Sequence, residues 1–229
     1  MAEYRLNNAT KTAVQGVGMT SHRSRQRLVK KLKSEGISNR LILDVISNTP
    51  RHLFVENVLS ARAYDNTALP IGSGQTISQP LVVAMMTEML IRKEGFPRKV
   101  LEIGTGCGYQ TAILAQLADQ VYTIERIRAL AQPAMNRLYR LKYRNIQFHH
   151  GDGRLGWKEH GPYDGIIVTA GAAQVPDELV TQLATDGRLV MPVGPSGQQS
   201  LRLFIRHQEG LQSYSGCNVE FVPLLEGSE

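Results

Sequence analysis

Apolar residues recur along the chain at two spacings, and the change from one to the other lays out the elements. Leu41, Ile42, Val45 and Ile46 share one face of a helical wheel. The pattern stops at Thr49-Pro50, because a residue before proline avoids helical dihedrals. Ser38 stands where that helix wants an N-cap. An earlier helix is expected from Thr20 or Ser21 to Gly36, where glycine can close it in the left-handed conformation. A third stripe, Leu81, Val82, Met85, Met86, Met89 and Leu90, opens at Pro80, a residue suited to a first turn. Beyond it the runs shorten. Val100 to Ile103, Val121 to Ile124, Asn145 to His150, Gly165 to Thr169 and Leu189 to Val193 read as strands. Helical patterns start at Tyr109 or Gln110 and at Pro176, the second running to Asp186 with Gly187 closing it. Leu201 to Arg206 and Ser213 to Val219 read as an antiparallel pair around Glu209-Gly210. Strands alternating with helices predict an α/β domain with a doubly wound, mostly parallel sheet. Residues 51–80 fit neither spacing. They hold Asp65-Asn66, Pro70 and Gly72-Ser73-Gly74 and read as an irregular stretch, a length of loop that is usually functional.

Composition narrows this only in places. The 229 residues, 42% hydrophobic, suffice for one domain with a full core and a small extension. The formal charge of +6 is concentrated at the start: residues 1–40 hold nine Lys or Arg against two Asp or Glu, the remainder 17 against 18. A near-neutral body argues against a groove that tracks nucleic-acid phosphates, so Arg23, Arg25, Arg27, Lys30, Lys31 and Lys33 read as a solvated helix face. Two cysteines, Cys107 and Cys217, give neither a disulfide framework nor metal-ligand spacing. His149 and His150 point to opposite faces of a strand with no third ligand, so no metal site is expected. The first twenty residues lack an apolar signal core, and no run of about eighteen apolar residues occurs, so a cytoplasmic enzyme away from membranes is the expectation.

The chemistry gathers at Val100-Leu-Glu-Ile-Gly-Thr-Gly-Cys-Gly-Tyr-Gln110, a strand, a glycine turn and a helix start. Gly104, Gly106 and Gly108 allow unusual dihedrals and let a ligand lie against bare main chain. The neighbouring strand ends in Glu125, where a nucleotide ribose would present two hydroxyls. A dinucleotide fingerprint begun at Gly104 would need glycine where Tyr109 stands, which opposes a nicotinamide-dependent oxidoreductase. With Glu102 ahead of them, the alternate glycines resemble the first motif of the Rossmann-like S-adenosylmethionine-dependent methyltransferases. Arg51-His-Leu-Phe-Val55, Ala68-Leu-Pro-Ile-Gly72 and Gln75-Thr-Ile-Ser-Gln-Pro80, followed by Leu101-Glu-Ile-Gly-Thr-Gly106, resemble the protein-L-isoaspartate O-methyltransferase family from about Met19 to Leu225.

That resemblance implies a seven-stranded Rossmann-like methyltransferase sheet with an N-terminal helical extension. It implies methylation of the free carboxylate of L-isoaspartyl residues in damaged proteins and peptides, starting repair toward normal aspartyl through a succinimide, with S-adenosyl-L-homocysteine as the spent cofactor. It places the cofactor on Gln75, Thr76, Ile77, Ser78, Glu102, Gly104, Thr105, Gly106, Gly108, Glu125, Asp152 and Gly153, with Asp152-Gly153 toward the adenine. It places the substrate against Thr76, Ser78, Val222 and Pro223, and it makes Ser78 the catalytic residue. The expected division is a flexible leader over 1–18, with Met19 as a possible native start, then N-terminal helices and substrate loop over 19–75 and the cofactor-binding core over 76–229, one domain overall. The helices would serve as a lid or buttress, or simply cover a sheet edge.

A carboxylate with a reference pKa of about 4 is already ionised at neutral pH, so methylation needs no strong base. Alignment and removal of water are what must be supplied, and alignment alone is worth roughly 7 to 11 kcal/mol. The Ser78 hydroxyl and a helix N-terminus would suffice, though on position alone an ordinary N-cap serine fits Ser78 as well. Nothing in the stretch supplies the histidine that a serine-hydrolase mechanism would need, so Ser78 is not read as a nucleophile. A pI near 9.4 favours a nucleic-acid methyltransferase. Against that, no Asn/Asp-Pro-Pro-aromatic cluster follows the strand ending at Thr169-Ala170, and neither cysteine follows a proline. A non-catalytic cofactor sensor is opposed by the intact Thr76-Ile77-Ser78.

Overall fold

The computed structural model describes residues 16–91, 95 and 97–229. Most of the expected leader lies outside the described residues, and Met19 falls in a short 3-10 turn, Gly18–Thr20.

Helix α1 spans His22–Ser34 and buries Leu28 and Leu32, and Gly36 follows it at φ +102°, as its sequence suggested. Its basic residues are not all solvated. Arg25 is buried and hydrogen-bonds to Tyr64, while Arg23, Arg27, Lys30, Lys31 and Lys33 are exposed. Helix α2, Arg40–Asn48, turns Ile42, Leu43, Val45 and Ile46 inward and leaves Leu41 exposed. Its cap is Asn39, not Ser38: Asn39 Oδ1 accepts from the amides of Leu41 and Ile42 at 3.0 and 3.4 Å. Ser38 is diverted, because its amide and hydroxyl both donate to Glu88 Oε1, 50 residues away. Asn39→Ala should therefore cost about 1 kcal/mol. Thermal unfolding should show a Tm loss of roughly 2–4 °C, and Ser38→Ala a smaller one.

The region after Pro50 is not irregular. Two 3-10 segments, Arg51–Phe54 and Asn57–Arg62, lead into a hairpin of β1, Leu69–Gly72, and β2, Gln75–Ile77. Ser73 and Gly74, at φ +51° and +67°, form its two-residue turn, which matches the strands' right-handed twist. Gln75 and Thr76 share one strand. Helix α3, Pro80–Leu90, is apolar around most of its circumference. It buries Val83, Ala84, Met86 and Leu90 and packs Val82 and Met85 as well, so the expected stripe was too narrow.

The main sheet has seven strands in the order β5-β4-β3-β6-β7-β8-β9. These are β3 Lys99–Ile103, β4 Gln120–Glu125, β5 Ile146–His150, β6 Tyr163–Val168, β7 Leu183–Val193, β8 Gln199–His207 and β9 Gly210–Val219. The first five run parallel, β8 returns antiparallel to β7 and β9 turns back antiparallel to β8, with β9 taking the edge rather than inserting between β7 and β8. Alternation along β3 sends Val100 to one face, with Met86, Leu90 and Leu114, and Leu101 and Ile103 to the other, with Tyr163 and Leu179. Helices α4 (Tyr109–Leu114), α5 (Arg128–Arg140) and α6 (Asp177–Thr181) complete the wrapping. Helix α6 is half the expected length. Its run passes straight into β7, whose pairing with β6 jumps from Leu183 to Arg188 while Asp186 adopts φ +59°. No helix among the described residues is long and apolar enough to cross a membrane.

Candidate active site

Strand order reverses between β4 and β6 on either side of β3, and over those carboxyl ends opens a cavity of about 730 Å³. Four stretches of chain wall it.

The first is the glycine turn. Gly104, Gly106 and Gly108 all hold positive φ, +92°, +53° and +87°. Gly104 and Gly106 line the cavity, whereas Gly108 lies behind it as the N-cap of α4, where a Cβ would meet Leu138 Cδ1 at 2.8 Å. A Cβ on Gly104 would run into Thr169 Oγ1, which sits 3.0 and 2.8 Å from the carbonyl oxygens of Ile103 and Gly104. Thr105 lines the cavity and is held by a 2.6 Å bond between its hydroxyl and that of Thr123.

The second wall is the end of β4. Glu125 Oε2 accepts the Gly106 amide at 2.7 Å and Oε1 the Ile127 amide at 3.0 Å. The carboxylate is thereby fixed at the cavity wall with one lone-pair direction left on each oxygen, an acceptor pair for vicinal hydroxyls. Glu102 is different in kind. It is fully buried outside the lining, and its Oε2 accepts the hydroxyls of Thr111 and Thr123 at 2.6 and 2.7 Å. Burial pushes its carboxyl up to about 8 in spite of those bonds. Its contact with the cavity runs through Thr123 and Thr105. Asp152 also stands outside the lining, with Oδ1 on the Arg154 amide and Oδ2 on the Gly227 amide, while Gly153 beside it does line the cavity.

The third wall is β2 with the chain leading into α3, and Gln75, Thr76, Ile77 and Ser78 all line it. Gln79, not Ser78, is the N-cap residue of α3, and no side chain caps the helix there. The Ser78 hydroxyl is thus not spent as an ordinary cap. The helix end offers fewer donors than a bare N-terminus would. Pro80 has no N–H, Leu81 gives its own to Asn66 Oδ1 at 2.9 Å, and Val83 bonds Gln79 O. What is left is the amide of Val82, a cavity residue.

The fourth wall is the tail, pinned on both sides. Gly171 N donates to Val222 O and Leu224 N to Gly171 O, each at 2.8 Å, and Phe221 N donates to Gln199 Oε1. This carries Val222 and Pro223 to the cavity that Ser78 also lines. Among the described residues no group of three or more His, Cys, Asp or Glu could hold a metal ion.

Of the residues read from sequence, the structure therefore brings Gln75 through Ser78, Gly104, Thr105, Gly106, Glu125, Gly153, Val222 and Pro223 to one cavity, and leaves Glu102, Gly108 and Asp152 behind it as supports. Sequence reasoning gave Val82, Thr169 and Asn66 no part in the site. Asn66 was visible only as a turn former, and its bond to Leu81 spans 15 residues.

A family model described as Protein-L-isoaspartate(D-aspartate) O-methyltransferase matches residues 23–229. A protein-L-isoaspartate O-methyltransferase of Cellvibrio japonicus is 52% identical over 222 residues, covering 96% of this chain and 99% of its own. One of Pseudomonas aeruginosa is 54% identical over 209 residues, 91% and 99%. Among solved structures, a protein-L-isoaspartate O-methyltransferase superposes with a TM-score of 0.78 at 29% identity over 87% of this chain, which spans 65% of that longer one. Another, from Plasmodium falciparum and in complex with S-adenosyl-L-homocysteine, gives 0.76 at 25% identity, covering 88% and 98%.

Proposed function

The chain belongs to the protein-L-isoaspartate (D-aspartate) O-methyltransferase family, and on that premise we propose how its residues share the work. The reaction moves a methyl group from S-adenosylmethionine to the free carboxylate of an L-isoaspartyl residue. The sulfonium supplies an electrophilic methyl group; alignment and dehydration fall to the protein. The main chain of Gly104, Thr105 and Gly106 and the paired oxygens of Glu125 hold the nucleoside end, and Gly153 borders the adenine side. Asp152 contributes by fixing that loop through its own bonds to Arg154 and Gly227. Glu102 sets the turn through Thr123 and Thr105.

The observation that carries the reading is one uncommitted hydroxyl, Ser78, beside one uncommitted amide, Val82, in the cavity that also holds Glu125. The incoming carboxylate loses charge as its oxygen bonds to carbon, so strong ion pairing would favour the ground state over the transition state. One neutral hydroxyl and one amide orient a carboxylate without binding it too deeply. Ser78 donates to one oxygen and leaves the other to attack. Thr76 and the Val222-Pro223 segment shield the approach from water. The methyl ester so formed carries methoxide, a far better leaving group than the oxygen of a free carboxylate, so the following backbone nitrogen can attack the ester carbonyl and close the succinimide that opens repair, losing its proton as methanol departs. Soluble isoaspartyl proteins of the cytoplasm, rather than nucleic acid or membranes, complete the proposal.

The test compares a peptide carrying isoaspartate with its normal aspartyl twin, supplied with methyl-labelled S-adenosylmethionine. Label should enter the isoaspartyl peptide as a base-labile ester at least 100-fold faster. Equal labelling of the two would overturn the assignment.

A further inference from the structure

Arg51 opens one of the sequence blocks that carry the family resemblance, yet nothing in the chemistry above uses it. It is the largest fully buried side chain among the described residues, 0% exposed. Its Nε donates to Ala63 O at 2.9 Å, and its Nη2 donates to Ser78 O at 2.9 Å and reaches Thr67 O at 3.5 Å. Its guanidinium carbon lies 4.9 Å from the centre of the Tyr109 ring, on the first residue of the helix that the glycine turn opens. Nη1 is buried without a protein acceptor, and none of the ion pairs among the described residues includes this side chain.

A buried cation with no acid beside it is an expensive way to tie three carbonyls together if packing alone were wanted. Its geometry explains the choice. A planar fork fixes the direction of a carbonyl as a single ammonium does not, and one of the three belongs to Ser78. The peptide group whose oxygen Arg51 holds is the one following Ser78's α-carbon, so it sets the dihedrals from which the hydroxyl leaves. The same fork spans from that peptide to the Tyr109 ring, joining the methyl-acceptor wall to the cofactor turn.

We propose that Arg51 is a positioning residue for methyl transfer, acting through the main chain of Ser78 to aim its hydroxyl into the cavity. The inference rests on Ser78 as the carboxylate-orienting group.

A double-mutant cycle tests it, with S78A, R51K and the combination assayed for kcat and KM on an isoaspartyl peptide. Active sites are counted by calorimetric titration with S-adenosyl-L-homocysteine, so that a misfolded fraction does not register as lost turnover. R51K should lower kcat about tenfold in the parent chain and less than threefold in the S78A background, with the Kd for S-adenosyl-L-homocysteine changed less than threefold in both. R51Q, which keeps one donor and loses the fork, is the second variant if R51K binds none, and should show the same dependence on Ser78. Equal losses in both backgrounds, or wild-type kcat per titrated site, would overturn the inference. If S78A itself turned over at the parent rate, the role given to Ser78 would fall and this one with it.

Discussion

Ser78→Ala should lower kcat on an isoaspartyl peptide by roughly 10- to 100-fold while the Kd for S-adenosyl-L-homocysteine stays within about twofold; Glu125→Ala should do the reverse. The split follows from what each side chain touches. The Ser78 hydroxyl is bound to no protein group that would be orphaned by its loss. The effect is that of one hydrogen bond to a charged partner, about 1.5–3 kcal/mol, which converts to the range given. Glu125 is tied in twice. Its removal deprives vicinal hydroxyls of their acceptors and also leaves the Gly106 and Ile127 amides without their partner. Each orphaned donor costs about 1–3 kcal/mol unless water reaches it, so a loss of cofactor affinity of at least 100-fold is expected. Glu125→Gln keeps one oxygen acceptor and should recover part of it. Calorimetry with S-adenosyl-L-homocysteine beside initial rates reads both quantities. Cofactor affinity collapsing in the serine variant, with turnover lost and affinity spared in the glutamate one, would exchange the two roles.

How much of this was legible beforehand depended on the range over which each feature is decided. The β3 turn could be read because its determinants are local: alternating apolar residues, three glycines and an acid at the end of the next strand. Ser38 and Asn39 are both good caps, and the choice between them is made by Glu88, whose Oε1 draws in the Ser38 hydroxyl and two amides. Leu179 and Leu183 suit a helix by spacing, but Leu183 pairs with Tyr163 across the sheet, and that long-range partner ends the helix. The region after Pro50 looked structureless for a related reason. Arg51 occupies a core position with a charged side chain, so it breaks the apolar pattern that would have announced order. Gly104, Gly106, Glu125 and Ser78, which the structure brings to one cavity, were readable as a candidate nucleoside and carboxylate site. The supports were not, since Glu102, Asp152 and Asn66 act through bonds that no spacing rule encodes.

Gly104→Ala should disable cofactor binding, and Gly36→Ala separates its two causes. Both glycines sit at strongly positive φ, +92° and +102°. A side chain at such dihedrals costs roughly 1–2 kcal/mol wherever it occurs. Around Gly36 a Cβ would meet nothing within 4 Å, so that variant should lose only this strain, a Tm drop of roughly 2–8 °C by the usual conversion, and keep full cofactor affinity. At Gly104 the new methyl also meets the Thr169 hydroxyl, which bridges the ends of β3 and β6 by its contacts with the carbonyls of Ile103 and Gly104. Neither side gives way freely, because the Gly104 amide is held by Ile124 O and the Thr169 amide by Ile103 O. The turn must therefore shift, carrying the Gly106 amide away from Glu125 and taking the cofactor cradle apart. A Kd for S-adenosyl-L-homocysteine weakened 100-fold or more is expected, with a larger Tm loss than Gly36→Ala gives. Adding Thr169→Ala removes the obstructing hydroxyl and should restore at least tenfold of that affinity. If the double variant bound no better than Gly104→Ala alone, dihedral strain rather than the Thr169 contact would be what the glycine relieves.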